Sequence, residues 1–405
     1  MIFRRSILAL TLALSLSHPS WALDRTMYVI NGLAETLSSV NLETDVVTNN
    51  ITILGLVPNQ IFIDNEDRRD TIGYVVNSIS DDIQMIHLRT GALMNTIFLG
   101  EGRNPWALAF INDSVVVVSN IITNSLSKVD TKNGTVLSEY PVGVAPEGMV
   151  YHNGLLYVCL SALDYNTFQY GQGQVAVVDP DADSIVAMIN VGQNPQALVV
   201  DYEGELLVLC TGNYFSSFGM IYVVDPELFV VTDSIVAGGS PGHIQLAPNG
   251  LAYIAAGGFV DQGEVYLFDS HSHDMLHDAG DPIYVGTGAV AIASDINGVA
   301  YSCDFSADQV SKIDGDSVLN TFGLGDGPGF AAIYEPYPPG DLNASGFVQS
   351  SDVIFAVNYV FRAGPEPASP ALADVSGNCT ISIVDIVQIV NYVFRGSAAL
   401  KYGCY

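Results

Sequence analysis

Two stretches near the C-terminus carry oxygen-bearing side chains at a spacing that can hold a cation. In the first, Asp341, Asn343 and Ser345, the carbonyl of Phe347 and the carboxylate of Asp352 fall at loop positions 1, 3, 5, 7 and 12. Thirty-three residues later the pattern returns as Asp374, Ser376, Asn378, the carbonyl of Thr380 and Asp385. An all-oxygen set of this spacing suits a hard ion, calcium above all. Gly346 at position 6 permits the sharp turn such a loop needs, and the second copy has Cys379 there. Each site offers two carboxylates, which predicts two calcium ions held with the modest affinity of extracellular modules.

Each loop runs into an apolar-periodic stretch. Val353, Ile354, Val357, Val360 and Phe361 are matched by Ile386, Val387, Val390, Val393 and Phe394, and both stretches end in Asn-Tyr-Val-Phe-Arg. Two short helices of this kind are expected to bury these faces against each other, with metal binding coupled to folding. The duplicated loop–helix unit over residues 341–405 resembles a type I dockerin, a paired EF-hand-like calcium module that attaches its carrier to a partner. The resemblance implies a cohesin-like protein domain as partner, or another domain in a chain without such an assembly. The contact positions it implies are Ser350, Ser351 and Arg362 in one copy and Ile383, Val384 and Arg395 in the other. The copies differ there, so the two faces are not equivalent.

The chain ahead of this module reads as many short β-runs with turn residues between them. A Gly-x-x-Pro turn leads into a small-residue apolar strand at Gly55, Gly102, Gly143, Gly192, Gly238 and Gly325, and Gly286 keeps the turn without its proline. In step with it, an apolar strand ends at Asn41, His87, Asp130, Asp179, Asp225, Asp269 and Asp314. Seven repeats of about 40–50 residues with short strands predict a seven-bladed β-propeller over residues 23–335. Met27-Tyr-Val-Ile-Asn31, Gly73-Tyr-Val-Val-Asn77 and Leu156-Tyr-Val-Cys159 resemble the YVTN family of propeller repeats, a likeness that speaks for fold and little for function. The phase leaves the apolar run 329–334 unpartnered, so it is expected to close the ring beside residues 27–55. Residues 336–340, rich in proline, read as a short stiff linker. The whole is mainly β, with a small helical domain appended.

On a propeller of this phase one face collects Arg103, Trp106, Glu147, Gln196 and His243, with Tyr165 and Tyr214 on longer loops. Aromatics beside polar groups suit a polysaccharide or a peptide, and equally suit steadying the loops. The chain lacks the haem-attachment and zincin motifs, Cys-x-x-Cys-His and His-Glu-x-x-His. His271 and His273 with His277 could bind a transition metal, but they lie in a turn between outer strands and read rather as solvated.

Arg4 and Arg5 precede an apolar run from Ile7 to Leu16, and Ser20-Trp-Ala22 offers small residues for cleavage. This reads as a signal peptide over residues 1–22, and no other segment is long and apolar enough to span a membrane. Its removal would take two arginines and no acid, moving the formal charge from −30 to −32. So acidic a surface excludes nucleic acid as a partner and favours cations. The expected location is extracellular, at the cell surface or periplasmic. Cys159, Cys210 and Cys303 read as buried free thiols in equivalent strands that do not meet. Cys379 and Cys404 are expected to pair in an oxidising compartment. Two functions fit: a secreted binding or scaffold propeller attached through its calcium module, or an extracellular carbohydrate-active enzyme that degrades polysaccharide.

Overall fold

The computed structural model describes residues 24–63, 71–397 and 400–403. The expected signal peptide and Cys404 lie outside the described residues. The chain forms a seven-bladed β-propeller of antiparallel sheets radiating from a central axis, six of them four-stranded and the one built on Pro241–Leu246 with its outer strand split in two, Asp274–His277 and Ile283–Tyr284. The innermost strands are Pro58–Ile63, Pro105–Asn112, Pro146–His152, Pro195–Val200, Pro241–Leu246, Ala289–Ser294 and Pro328–Tyr334. Six of the seven open on the proline of the turn motif, at the first strand position, where a missing N–H is tolerated.

The motif's glycine has a packing reason. A Cβ on Gly55 would lie 2.7 Å from the side chain of Asn77, and one on Gly325 would lie 2.6 Å from Asn31. Both asparagines end the second strand of the same blade, so the turn must press its backbone onto that residue. The strand-terminal acids have a different task. Asp179, Asp225 and Asp269 end third strands, and their carboxylates accept hydrogen bonds from backbone N–H groups two and three residues on. They cap the turn into the outer strand.

Second strands are sandwiched between neighbouring blades and read as unbroken apolar runs, as in Val115-Val-Val-Val118. The core is therefore a circle of interblade clusters. One of them joins Tyr157, Cys159, Leu206, Val208 and Cys210. Cys159, Cys210 and Cys303 are buried and free, as expected. Cys159 and Cys210, however, do share a cluster, because adjacent blades lay their second strands face to face.

The ring closes as expected. Pro328–Tyr334 pairs antiparallel with Thr26–Asn31, setting Thr26 opposite Tyr334. A buried ion-pair group sits where the two chain segments meet. Arg25 reaches Asp295 at 3.1 Å, Glu335 at 3.6 Å and Glu43 at 3.0 Å. Burial pushes the Glu335 carboxyl up to about 8 despite the attraction of Arg25.

The C-terminal segment holds α1 (Ser350–Arg362), α2 (Pro370–Ala373) and α3 (Ile383–Arg395). Its core gathers Leu342, Ala356, Ala373, Val375, Ile386 and Ile389, with Val353, Val357, Val360, Val390 and Val393 packed around them. Four of the ten residues of the expected apolar face point elsewhere: Ile354, Phe361, Val387 and Phe394 are exposed. At i, i+7 they form an outward ridge, while Ala356 and Ile389 supply the inward contacts. The segment also lies against the ring. Buried Ser369 donates to the carbonyl of Ile296 (3.0 Å), and Cys379 Sγ lies 3.6 Å from His271 Nε2. The expected spacer is likewise packed, since Pro336 is buried and the Tyr337 carbonyl accepts a 2.7 Å hydrogen bond from Tyr402.

A chain ending at Asp326 loses the closing strand and should not melt cooperatively, whereas one ending at Pro336 should retain a folded ring. Arg25→Ala strands buried acids and should cost about 3 kcal/mol, read by denaturant unfolding. Equal melting of the two truncations would refute closure by the final strand.

Candidate functional site

All seven inner strands present their second residue to an axial cavity of about 990 Å³. Trp106, Glu147, Gln196, His243 and Tyr214 line it, whereas Tyr165, expected on the same face, is not among the lining residues. Phe62, Phe259, Phe305 and Phe330 add aromatic surface. Phe330 comes from the closing strand, so the cavity wall is complete only in a closed ring.

Glu147 carries the least expected chemistry. It is 3% exposed, and one carboxyl oxygen has no hydrogen-bond partner. Burial pushes its pKa up to about 8, and a hydrogen bond from Ser161 offsets this only in part. At neutral pH it is a carboxylic acid, able to donate. Tyr165, Tyr170 and Tyr214 gather near it. Their hydroxyls are raised chiefly by burial and further by the neighbouring carboxyl, Tyr165 to about 12. The Tyr170 and Tyr214 rings lie 6.1 Å apart, and Gln196 Nε2 is 3.4 Å from the Tyr214 hydroxyl. The hairpin Leu163–Asp164 with Gln169–Tyr170 positions the first two tyrosines.

Two blades further round the ring, His243 packs edge-on against Phe330, with ring centroids 5.0 Å apart. Its Nδ1 accepts the Ile292 N–H at 3.3 Å, which leaves the proton on Nε2. Burial lowers its pKa to about 4, so it is neutral. Arg103 was expected on this face but does not line the cavity. It turns outward to Glu139 at 2.7 Å. Among the described residues the lining thus holds no charged group at pH 7, although the chain carries a formal charge of −30.

The C-terminal loops form a second candidate centre with the same geometry in both copies. The Ser345 and Gly346 N–H groups donate to the two oxygens of Asp341 (2.9 and 2.6 Å). The Asn378 and Cys379 N–H groups do the same to Asp374 (3.2 and 2.9 Å). Asp352 accepts from the N–H of Asn343 (3.3 Å) and of Gln349 (3.0 Å), and Asp385 from that of Ser376 (2.9 Å) and of Ser382 (2.8 Å). All four carboxylates are buried. Burial raises Asp341 and Asp374, and the paired Asp352 and Asp385 raise them further. Ser345 Oγ lies 3.2 Å from the Phe347 carbonyl, so donors at positions 1, 5 and 7 converge. Side chains at two other positions are partly engaged. Asn343 Nδ2 donates to Ser351 (3.1 Å), and Asn378 Oδ1 accepts the Thr380 N–H (3.0 Å). Cys379 takes the left-handed conformation (φ 57°) that Gly346 takes without strain. This oxygen set fits a hard cation. Ser350, Ser351, Arg362, Ile383, Val384 and Arg395 are all exposed.

No protein-family model and no curated protein matches the chain. Solved structures share its fold. A putative 6-phosphogluconolactonase from Bacteroides fragilis aligns at TM-score 0.59 and 14% identity, covering 77% of this chain and 98% of that one. Hydrazine synthase from Kuenenia stuttgartiensis aligns at 0.57 and 15%, covering 67% and 88%. A streptogramin B lyase aligns at 0.52 and 12%, covering 66% and 83%. At these identities the likeness is one of fold alone.

Glu147→Gln keeps shape and removes the titration. A carboxyl raised in the folded state binds its proton more tightly there than in the unfolded chain. Stability is then lost as pH rises from the ordinary carboxylate range through about 8. The substitution should therefore stabilise the ring by on the order of 3 kcal/mol near pH 7.5 and by little at pH 4.5. Unfolding curves at both pH values decide it, and a pH-independent difference would refute a neutral Glu147.

Proposed function

We propose that this chain is a secreted binding propeller that takes an uncharged ligand in its axial cavity and is anchored through a calcium-dependent dockerin-like module. The observation that carries the ligand reading is the uncharged wall, where Glu147 and His243 are both neutral at pH 7. Stacking rings, a protonated carboxyl, an amide and a hydroxyl suit the hydroxyls of a neutral sugar or the amides of a peptide. A phosphorylated or carboxylated ligand would find no cation among the described lining residues. The volume suits a short segment of polymer.

The repeated carboxylate pairs support calcium at Asp341, Asn343, Ser345, Phe347 and Asp352, and at Asp374, Ser376, Asn378, Thr380 and Asp385. Calcium would neutralise each buried pair and fix the loop that starts its helix. The outward ridge of Ile354, Phe361, Val387 and Phe394 continues past Ile383 and Val384, which favours a cohesin-like partner laid across both helices. The pairing of Cys379 with Cys404 expected from the sequence belongs to this reading, because a disulfide persists in an extracellular setting.

The second reading, a carbohydrate-active enzyme, draws on Glu147 as a ready proton donor. Glycoside hydrolysis ordinarily needs a second carboxyl, and none lines the cavity among the described residues. A glycan array read together with product analysis separates the two. Neutral glycans should bind without turnover, and released product would move the protein to the enzyme reading. Removing calcium with EDTA should abolish most of the helical circular dichroism while the β-signal of the ring persists. Asp352→Ala should weaken the first site by at least about tenfold. An unchanged helical signal in EDTA would dismiss the calcium module.

A further inference from the structure

The turn that holds His271 and His273 is not simply solvated. Its blade packs beside the blade built on Pro195–Val200, whose first turn carries Asp201 and Glu205. One donor atom each from Asp201, Glu205 and His273 lies within 4.8 Å of the others. The rings and carboxylates are already oriented. His273 stacks on Phe268 at 6.1 Å and 17°. Its Nε2 lies 3.6 Å from Glu205 Oε2, and its Nδ1 lies 3.7 Å from Asp233 Oδ2.

Asp201 provides the independent sign of a missing ligand. It is 6% exposed, and its Oδ1 accepts the Glu205 N–H at 2.8 Å, while Oδ2 has no hydrogen-bond partner. A buried carboxylate oxygen without a partner is costly. Burial first, then the neighbouring Glu203 and Glu205, push its pKa up to about 6, the direction a bound cation would reverse.

We propose that Asp201, Glu205 and His273 form a site for a divalent transition metal of the zinc class, clamping these two blades together. One imidazole with two carboxylates is a borderline donor set that suits zinc better than calcium. A tetrahedral ion with ligands at about 2.1 Å holds its donors roughly 3.4 Å apart, close to the His273–Glu205 separation. Asp233, 3.7 Å from Nδ1, stands where an outer carboxylate would orient a ligating imidazole with Nε2 toward the metal. Three protein donors leave a coordination position for water. The tail's Cys379 lies against His271, two residues away, so the site adjoins the docked C-terminal segment.

The test is calorimetric titration of Zn2+ into the full chain kept in excess calcium, which holds the tail loops filled. One equivalent should bind, and the ring's melting temperature should rise. His273→Gln and Asp201→Asn should each weaken that equivalent at least tenfold, and Asp233→Asn by a smaller factor. Asp352→Asn should leave it unchanged. Should Asp201→Asn fail to fold, His273→Gln on its exposed turn decides alone. Binding unaffected by His273→Gln, or lost equally in Asp352→Asn, would overturn the proposal, as would the absence of saturable binding.

Discussion

Everything in this molecule depends on one strand pairing, that of Pro328–Tyr334 with Thr26–Asn31. A propeller buries its apolar strands between blades, so a ring left open exposes two blade faces and a sheet edge at once. The closing strand removes both and also brings Phe330 to the axis, where it meets His243 and Phe62. Fold and ligand wall are thus completed by the same residues. Arg25 and Glu335, which flank the paired strands, share one buried ion-pair group.

The ring was legible because its demands are local and repeated. A glycine that must lie on the end of a neighbouring strand, a proline at an inner edge and an acid that caps an outer turn recur at fixed intervals whatever surrounds them. The paired loops of the tail were legible for the same reason, since the acids at positions 1 and 12 recur in both copies and accept the same backbone N–H groups. Orientation across elements was not legible. Phe361 and Val360 look alike in a helical pattern, and only the packing of α1 on α3 turns one outward. Arg103 sits at the expected turn, yet Glu139 on another strand draws it away.

Charge state was the other hidden quantity. A sequence shows that Glu147 is an acid but not that its strand carries it beside three tyrosines to a cavity wall where little water reaches it. The same holds for Asp201, whose orphaned oxygen exists only because Glu205 folds back to occupy the other. His273 looked like one polar residue in a variable turn. Its neighbours come from a blade some forty to seventy residues earlier, a separation that no local motif encodes.

The place where the tail joins the ring has a mechanical meaning. The closing strand ends at Tyr334 and the tail begins directly after it, so any tension applied to a tethered C-terminus enters the ring at the Thr26–Tyr334 pair. The last strand laid down is then the first to feel a pull. Arg25, gripping acids on both sides of that seam, acts as a strain relief. Docking of the tail against Ile296 and His271 spreads the force over two further blades before the seam is loaded.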